Sequence, residues 1–423
     1  MSFKRFHLSD LKYTFHQLKC LSRNLNNHHY SSYQLELARL HSHRRCLHTS
    51  SFRTLAVDFD VNETQPAAAA GPPPPVSCSA PAAAQSDHLH VPVMAEQSIK
   101  LLDPSDNKCF IDMTFGAGGH TKRILAHAPK AKIFALDRDP TADGLAKKLQ
   151  QQYSNVTPVH GKFTDLKTLL DAYDVRRESV DGILFDIGAS SMQFDSTARG
   201  FAISRDAPLD MRMDGVASPE QPSAGDVVNY AGENDLFQIL KMYGEEKHAR
   251  DIARAIVESR QAFGKIASTK QLASIVELVY QGNHKLDSLG RHAHVATKTF
   301  QALRIFVNNE LNELNNGLIL AHDYLRPGGV CVVISFHSLE DRIVKRHFHG
   351  IDMDKRFNAG IGDHLQNSAF TFSNETMSGL MKRKRWSPIS RKVTSATDDE
   401  IVANPRSRSA KLRAAVKLTT INE

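Results

Sequence analysis

The stretch FIDMTFGAGGH, Phe110 to His120, sets the tightest limit on what this chain can fold into. A β-prone run breaks off at three glycines, Gly116, Gly118 and Gly119, and a helix-competent segment follows at once. Such glycines let the backbone turn sharply and bring its N–H groups close to a ligand, ahead of a helix N-terminus that is electropositive. Strand-like runs recur at 133–136, 156–160, 182–185 and 330–336, with helical segments at 121–128 and 142–153 between the early ones. This alternation predicts an α/β fold with a doubly wound, mostly parallel sheet, in which ligands bind beyond the carboxyl ends of the strands.

Those strand ends are polar. Asp112 falls in the first, Asp137 closes the second 25 residues later, and Asp186 closes the fourth. An acid after the second strand of a nucleotide-binding sheet bonds ribose hydroxyls, so an adenosine-bearing cofactor is expected. The glycine spacing departs from the G-x-G-x-x-G of dinucleotide folds, and no Gly-Lys-Ser/Thr follows it as in a Walker loop. Three acids suit a cationic, hydroxyl-rich ligand better than phosphates, which points to S-adenosyl-L-methionine.

Charge divides unevenly. Residues 1–56 hold nine Lys/Arg against two acids and account for the whole net charge of +7. Apolar residues Leu8, Leu11, Phe15 and Leu18 fall there at helical spacing. Such a basic, acid-poor, amphipathic segment reads as a mitochondrial presequence, which implies the matrix as destination. The Pro/Ala-rich run at 57–87 reads as a disordered linker. No apolar run approaches bilayer length, so no membrane association is expected. Five cysteines without a C-x-x-C pair argue against a metal centre or a disulfide framework.

The blocks DMTFGAGGHT, ALDRDP, DIGASSMQFD, RGFAISRDAPLDMRMD, YGEEKHARDIARAI, TKTFQALRIFVNNEL and ISFHSLEDRIVKR, in that order, resemble the RsmH/MraW family of small-subunit rRNA cytosine-N4 methyltransferases. With the presequence, the resemblance is to the mitochondrial branch. It implies a class I, Rossmann-like methyltransferase with a helical insertion after strand four, S-adenosylmethionine as donor, and a cytidine of mitochondrial small-subunit rRNA, within an assembling subunit, as target. By motif it implies that Gly118, Gly119 and His120 contact the methionine part of the cofactor, Asp137 the ribose, Phe163 the adenine, and Asp186 and Gln193 the reacting end. The domains are then 88–199 with 293–423 for catalysis and 200–292 for an RNA-recognition insertion. A non-catalytic rRNA-binding assembly factor that keeps the cofactor fold is the alternative.

Methylating an exocyclic amine requires acceptors that hold its hydrogens and align the nitrogen with the methyl group. Asp186, Ser190 and Ser191 after strand four are the candidates, with His337 after strand five either lining the base pocket or capping the next helix. No Pro-Cys is present for carbon-5 chemistry, and no [DNS]-P-P-[YFW] follows strand four; Phe194, Phe201 and Phe336 are candidates to stack the base. In 245–260, Ala249, Ile252, Ala253, Ile256 and Val257 share one helical face and Lys247, Arg250 and Arg254 another, a candidate RNA-phosphate surface. The run Lys382, Arg383, Lys384, Arg385 and Trp386 combines charge with a stacking ring and is the second RNA candidate. The apolar steps from 295 to 325 predict one long helix, ended by Gly328 and Gly329. PLDMRMD, 208–214, is an unexplained loop joining insertion and site.

Overall fold

The computed structural model describes residues 92–280, 285–286, 292–350 and 385–419. The presequence, the linker and the RNA candidates Lys382, Arg383 and Lys384 lie outside the described residues.

Alternation of buried side chains builds the sheet. In β2 (Lys132–Asp137), Ile133 and Ala135 face one core cluster and Phe134 and Leu136 the other, as the two-residue repeat of a strand requires. The first cluster is completed by α1 (Ala95–Leu102), α2 (Gly119–His127) and α3 (Pro140–Gln152). Opposite, α4 (Leu166–Asp171) contributes Leu166 and Leu170. β1 (Cys109–Asp112), β3 (Val156–His160) and β4 (Val180–Asp186) run parallel with β2 in the order β3-β2-β1-β4. The order reverses between β1 and β4, the place where a doubly wound sheet opens a crevice.

After β4 comes α5 (Ser191–Asp195), and then the inserted helices α6 (Ala224–Tyr230), α7 (Glu233–Gly244), α8 (Ala249–Phe263) and α9 (Thr269–Tyr280). In α8, Ala249, Ile252, Ala253 and Ile256 are buried as the periodicity predicts. The insertion also holds a two-residue ladder, β5 (Lys285–Leu286) against β6 (His292–Ala293), which the sequence did not suggest.

The long helix expected over 295–325 is two helices. α10 (Thr297–Asn308) stops at Asn309, whose φ of 53° is left-handed, and α11 (Glu310–Tyr324) restarts there. Asn is among the few residues that enter this conformation readily, so the apolar repeat continues while the axis breaks. β7 (Leu325–Ser335) then begins directly at the end of α11, and Gly328 and Gly329 fall in a register shift of the strand instead of ending the helix.

The sheet finishes with elements not expected from the sequence. Beyond β7 and α12 (Ser338–His349) come β8 (Trp386–Pro388), β9 (Thr394–Ser395), α13 (Asp398–Ala403) and β10 (Lys411–Lys417). β7 is parallel to β4, whereas β10 lies antiparallel between β7 and β8, giving β3-β2-β1-β4-β7-β10-β8. No helix among the described residues is long and apolar enough to cross a membrane.

Candidate active site

The glycine turn takes its shape from two residues. Gly116 (φ 53°) and Gly118 (φ 78°) are left-handed, and a Cβ on Gly118 would sit 2.7 Å from the Phe115 ring. Gly116 N–H donates to Asp137 Oδ2 at 2.7 Å, and Asp139 N–H donates to Asp137 Oδ1 at 2.9 Å. Asp137 therefore clasps the exits of β1 and β2 together. Burial pushes its pKa up to about 6 although both amides oppose the shift.

Asp112 is sealed beneath this turn, where it accepts from Thr114 N–H (3.1 Å) and Thr121 Oγ1 (2.8 Å). It fastens the turn and is fully buried, whereas Asp137 and Asp186 are part-exposed. Asp186 donates its backbone N–H to Thr114 Oγ1 (2.6 Å), its Oδ2 lies 3.4 Å from His120 Nε2, and its Oδ1 has no hydrogen-bond partner. His120 is buried, with Nε2 facing Asp186 and Nδ1 without a hydrogen-bond partner. Burial opposes charge on that ring, but Asp186 and Asp112 outweigh it and hold the imidazole above its ordinary pKa.

The remaining candidates separate by task. Ser190 caps α5: its Oγ accepts from Gln193 N–H (3.3 Å), and Gln193 Oε1 accepts from Ser190 N–H (3.0 Å). The other end of the Gln193 amide donates to Asp139 Oδ2 at 2.8 Å, so Gln193 braces the turns of β2 and β4 against each other. Ser191 opens α5. Phe163, half-buried after β3, meets Phe185 edge-on at 5.4 Å, and Gly317 of α11 lets the two rings pack there, since a Cβ would lie 3.1 Å from Phe163. Phe201 is buried, which removes it as a stacking surface, while Phe194 and Phe336 stay part-exposed.

His337 takes the capping role. Its Nδ1 accepts from Glu340 N–H (3.4 Å), while Glu340 Oε2 accepts from the backbone of Phe336 and His337. Glu310, His337 and Glu340 bring three potential metal-ligating atoms within 4.8 Å. Arg304 already donates to both oxygens of Glu310 at 2.9 and 3.0 Å. An accepting Nδ1 also puts the ring proton on Nε2, so the group is better described as an ion network carrying its own cation. Burial alone would raise the Glu340 pKa; His337 and Arg304 bring it below the carboxylate range.

The PLDMRMD loop is a buckle. Met211, left-handed (φ 60°) and buried, donates its N–H to Arg199 O and accepts from Asn308 Nδ2 at 2.7 Å. Asn308 Oδ1 accepts from Met213 N–H at 2.7 Å, and Asp214 pairs with Arg138 and, at 3.4 Å, with Lys162. Arg199 donates to the carbonyls of Arg212 and Met213 and pairs with Asp139 at 3.2 Å. Thus 208–214 ties the exit of β2 and the approach to Phe163 to the break between α10 and α11. Sequence reasoning missed Thr114, Asp139, Arg199, Asp214 and Asn308. Asp139 alone left a signal, since Asp before Pro140 is an N-cap followed by a first-turn proline. Asn308→Ala would strand the Met213 amide and the Met211 carbonyl, and should cost about 2 kcal/mol, read as a lower urea midpoint with unchanged slope.

Of the RNA candidates, Lys247, Arg250 and Arg254 are exposed. Arg250 lies 4.4 Å from the Phe237 ring centre, and Arg254 is 4.0 Å from Glu233. Trp386 is a correction: it is 2% exposed, packed between His322 and Phe348, and cannot stack on RNA. Exposed Arg385 precedes it at the amino edge of the sheet, since β8 pairs Trp386 with Lys417, the far end of β10.

A sheet in this order with an antiparallel strand inserted near its edge, and acids gathered at its carboxyl end, defines a class I methyltransferase. The chain belongs to the MraW methylase family, whose profile matches residues 87–418. A Drosophila melanogaster protein named probable methyltransferase-like protein 15 homolog is 49% identical over 334 residues, 78% of this chain and 92% of that one. The human 12S rRNA N(4)-cytidine methyltransferase METTL15 is 48% identical over 338 residues, covering 78% and 83%. A Culex quinquefasciatus protein named putative receptor-type tyrosine-protein phosphatase is 51% identical over 333 residues, but these are only 22% of its own length, and its name carries no argument for the shared part.

Proposed function

We propose that this chain transfers a methyl group from S-adenosylmethionine to N4 of a cytidine in mitochondrial small-subunit rRNA, within an assembling subunit in the matrix. The observation that carries the proposal is the part-exposed Asp186, whose Oδ2 lies 3.4 Å from His120 Nε2 and whose Oδ1 has no hydrogen-bond partner, where the turns after β1 and β4 meet. A carboxylate there accepts an amino hydrogen of the base and aligns the nitrogen's lone pair with the donor.

The residues fit the cofactor on chemical grounds. Gly116, with no atom closer than 3.9 Å to where a Cβ would stand, leaves room for its amino-acid part, Gly118 and Gly119 shape the turn against Phe115 and Pro92, Asp137 has lone pairs remaining for two ribose hydroxyls, and the Phe163 ring offers a face to adenine. When bound, the cofactor supplies a methyl group on a sulfonium; the sulfur–carbon bond breaks as the nitrogen–carbon bond forms. The N4 proton then leaves toward Asp186, and Ser191, which opens α5 after the same strand, is the second candidate acceptor. Ser190, Gln193 and His337 act by holding the turns in place. Residues 88–199 with 293–423 form the catalytic domain in this reading, and 200–292 present Lys247, Arg250 and Arg254 to RNA phosphates.

Incubating the protein with methyl-labelled S-adenosylmethionine and small-subunit rRNA, then digesting to nucleosides, tests it. Label in N4-methylcytidine is expected. RNA binding without label would favour the assembly-factor reading, and label in 5-methylcytidine would place the chemistry on carbon.

A further inference from the structure

β10 brings a second basic segment to the site. Because it runs antiparallel to β7, Lys411 lies opposite Ser335 and Leu412 opposite Ile334, while Ile334 in turn lies opposite Asp186 of β4. Leu412 and Asp186 are thus at one level of the sheet, two strands or about 10 Å apart. The six residue steps from Lys411 to Lys417 carry the other end of β10 about 20 Å away, to Trp386. Of the basic residues between 385 and 417, those preceding β10 reach the carboxyl edge and Arg385 does not.

The preceding segment is a 3-10 turn, Pro405–Ser409, with Arg406 and Arg408 exposed. Arg406 lies 5.6 Å over the Phe194 ring, and its Nη2 is 3.0 Å from Asp195 Oδ1. Exposed Arg205 donates to the Asp195 carbonyl from the other side. Phe194 and Asp195 belong to α5, whose cap is Ser190, so Arg406 and Arg205 hold the far end of the short helix that opens at the turn after β4. Asp195 thus meets Arg406 through its carboxylate and Arg205 through its backbone carbonyl. Asp341 is engaged by Arg413 at 2.6 Å, and Glu400 of the acidic first turn of α13 accepts from Met94 N–H.

We propose that Arg406 and Arg408, with Arg205, form a phosphate-binding rim for the RNA strand on either side of the target nucleotide. The proposal rests on the rRNA methyltransferase reading and adds where the strand lies. A guanidinium fork matches phosphate geometry, and Phe194 beneath Arg406 holds one fork in position. The rim replaces the buried Trp386 as the C-terminal contact to RNA.

The test uses the full chain and a fluorescent small-subunit rRNA fragment titrated at several salt concentrations. The double variant Arg406→Ala with Arg408→Ala should bind on the order of tenfold more weakly at 0.1 M salt and show a salt slope shallower by about 1.5, with S-adenosylmethionine affinity unchanged. Arg406→Lys with Arg408→Lys, which keeps the charge, should recover most of the slope. Unchanged RNA affinity and slope in the alanine variant would overturn the rim while leaving the parent reading intact. A wild-type protein that neither binds nor methylates rRNA would overturn the parent reading instead.

Discussion

Asp137→Asn should lower the affinity for S-adenosylmethionine by one to two orders of magnitude, the scale of losing charge-assisted hydrogen bonds in a part-buried site. Both oxygens of Asp137 already accept from the loops they join, Gly116 N–H and Asp139 N–H. A carboxylate can do this and still accept from two ribose hydroxyls. An asparagine has one accepting atom and must turn its amino group toward one of those amides. The variant therefore loses ligand contacts and loosens the glycine turn together.

The same residue sets a pH dependence. Burial pushes Asp137 up to about 6, so wild-type affinity should be flat above pH 7 and fall by up to tenfold per unit below 6, whereas Asp137→Asn should show no such fall. The sign for stability is opposite to that of a salt-bridged acid. The protonated form is the one favoured in the fold; its contribution is complete below 3.8, the ordinary value of an aspartate carboxyl, and is lost as pH rises through about 6. Calorimetric titrations of both proteins at pH 5, 6, 7 and 8 measure the binding half directly. Equal affinity of wild type and variant at pH 8 would remove Asp137 from the cofactor site.

Local signals made the parallel half of the sheet legible. Each strand from β1 to β4 is a short apolar run ending in a polar turn, so its position and direction follow from period and punctuation alone. β10 carries neither signal. Its sequence, KLRAAVK, reads as a basic tail, and only pairing on both sides buries Leu412, Ala414 and Ala415 and lets Lys417 meet Glu178 at 2.7 Å. The site divides in the same way. Glycines and strand-end acids are visible because chemistry and backbone geometry coincide at them. Asn308 and Arg199 act on backbone groups about 100 residues away or across a loop, and no local pattern marks such a contact. Trp386 misled because an aromatic among basic residues has the composition of an RNA contact whichever way the ring turns.

The direction of that ring has a measurable cost. Trp386 packs on the His322 ring at 5.1 Å and the Phe348 ring at 5.3 Å, in the same cluster as Tyr324, Cys331 and Ala415. Trp386→Ala would open a cavity where α11, α12 and the final strands meet. We expect a loss of about 3 to 5 kcal/mol in unfolding free energy, among the largest for a single change in this chain. RNA affinity measured on the folded variant, well below its melting temperature, should stay within about twofold of wild type, because stacking on a base would contribute about 1 to 3 kcal/mol and its loss would be evident. A variant of unchanged stability whose RNA binding drops tenfold would return Trp386 to the RNA surface. It would also mean that the C-terminal pair of strands is held by β10 hydrogen bonds alone, without the ring that now joins them to the helices beneath.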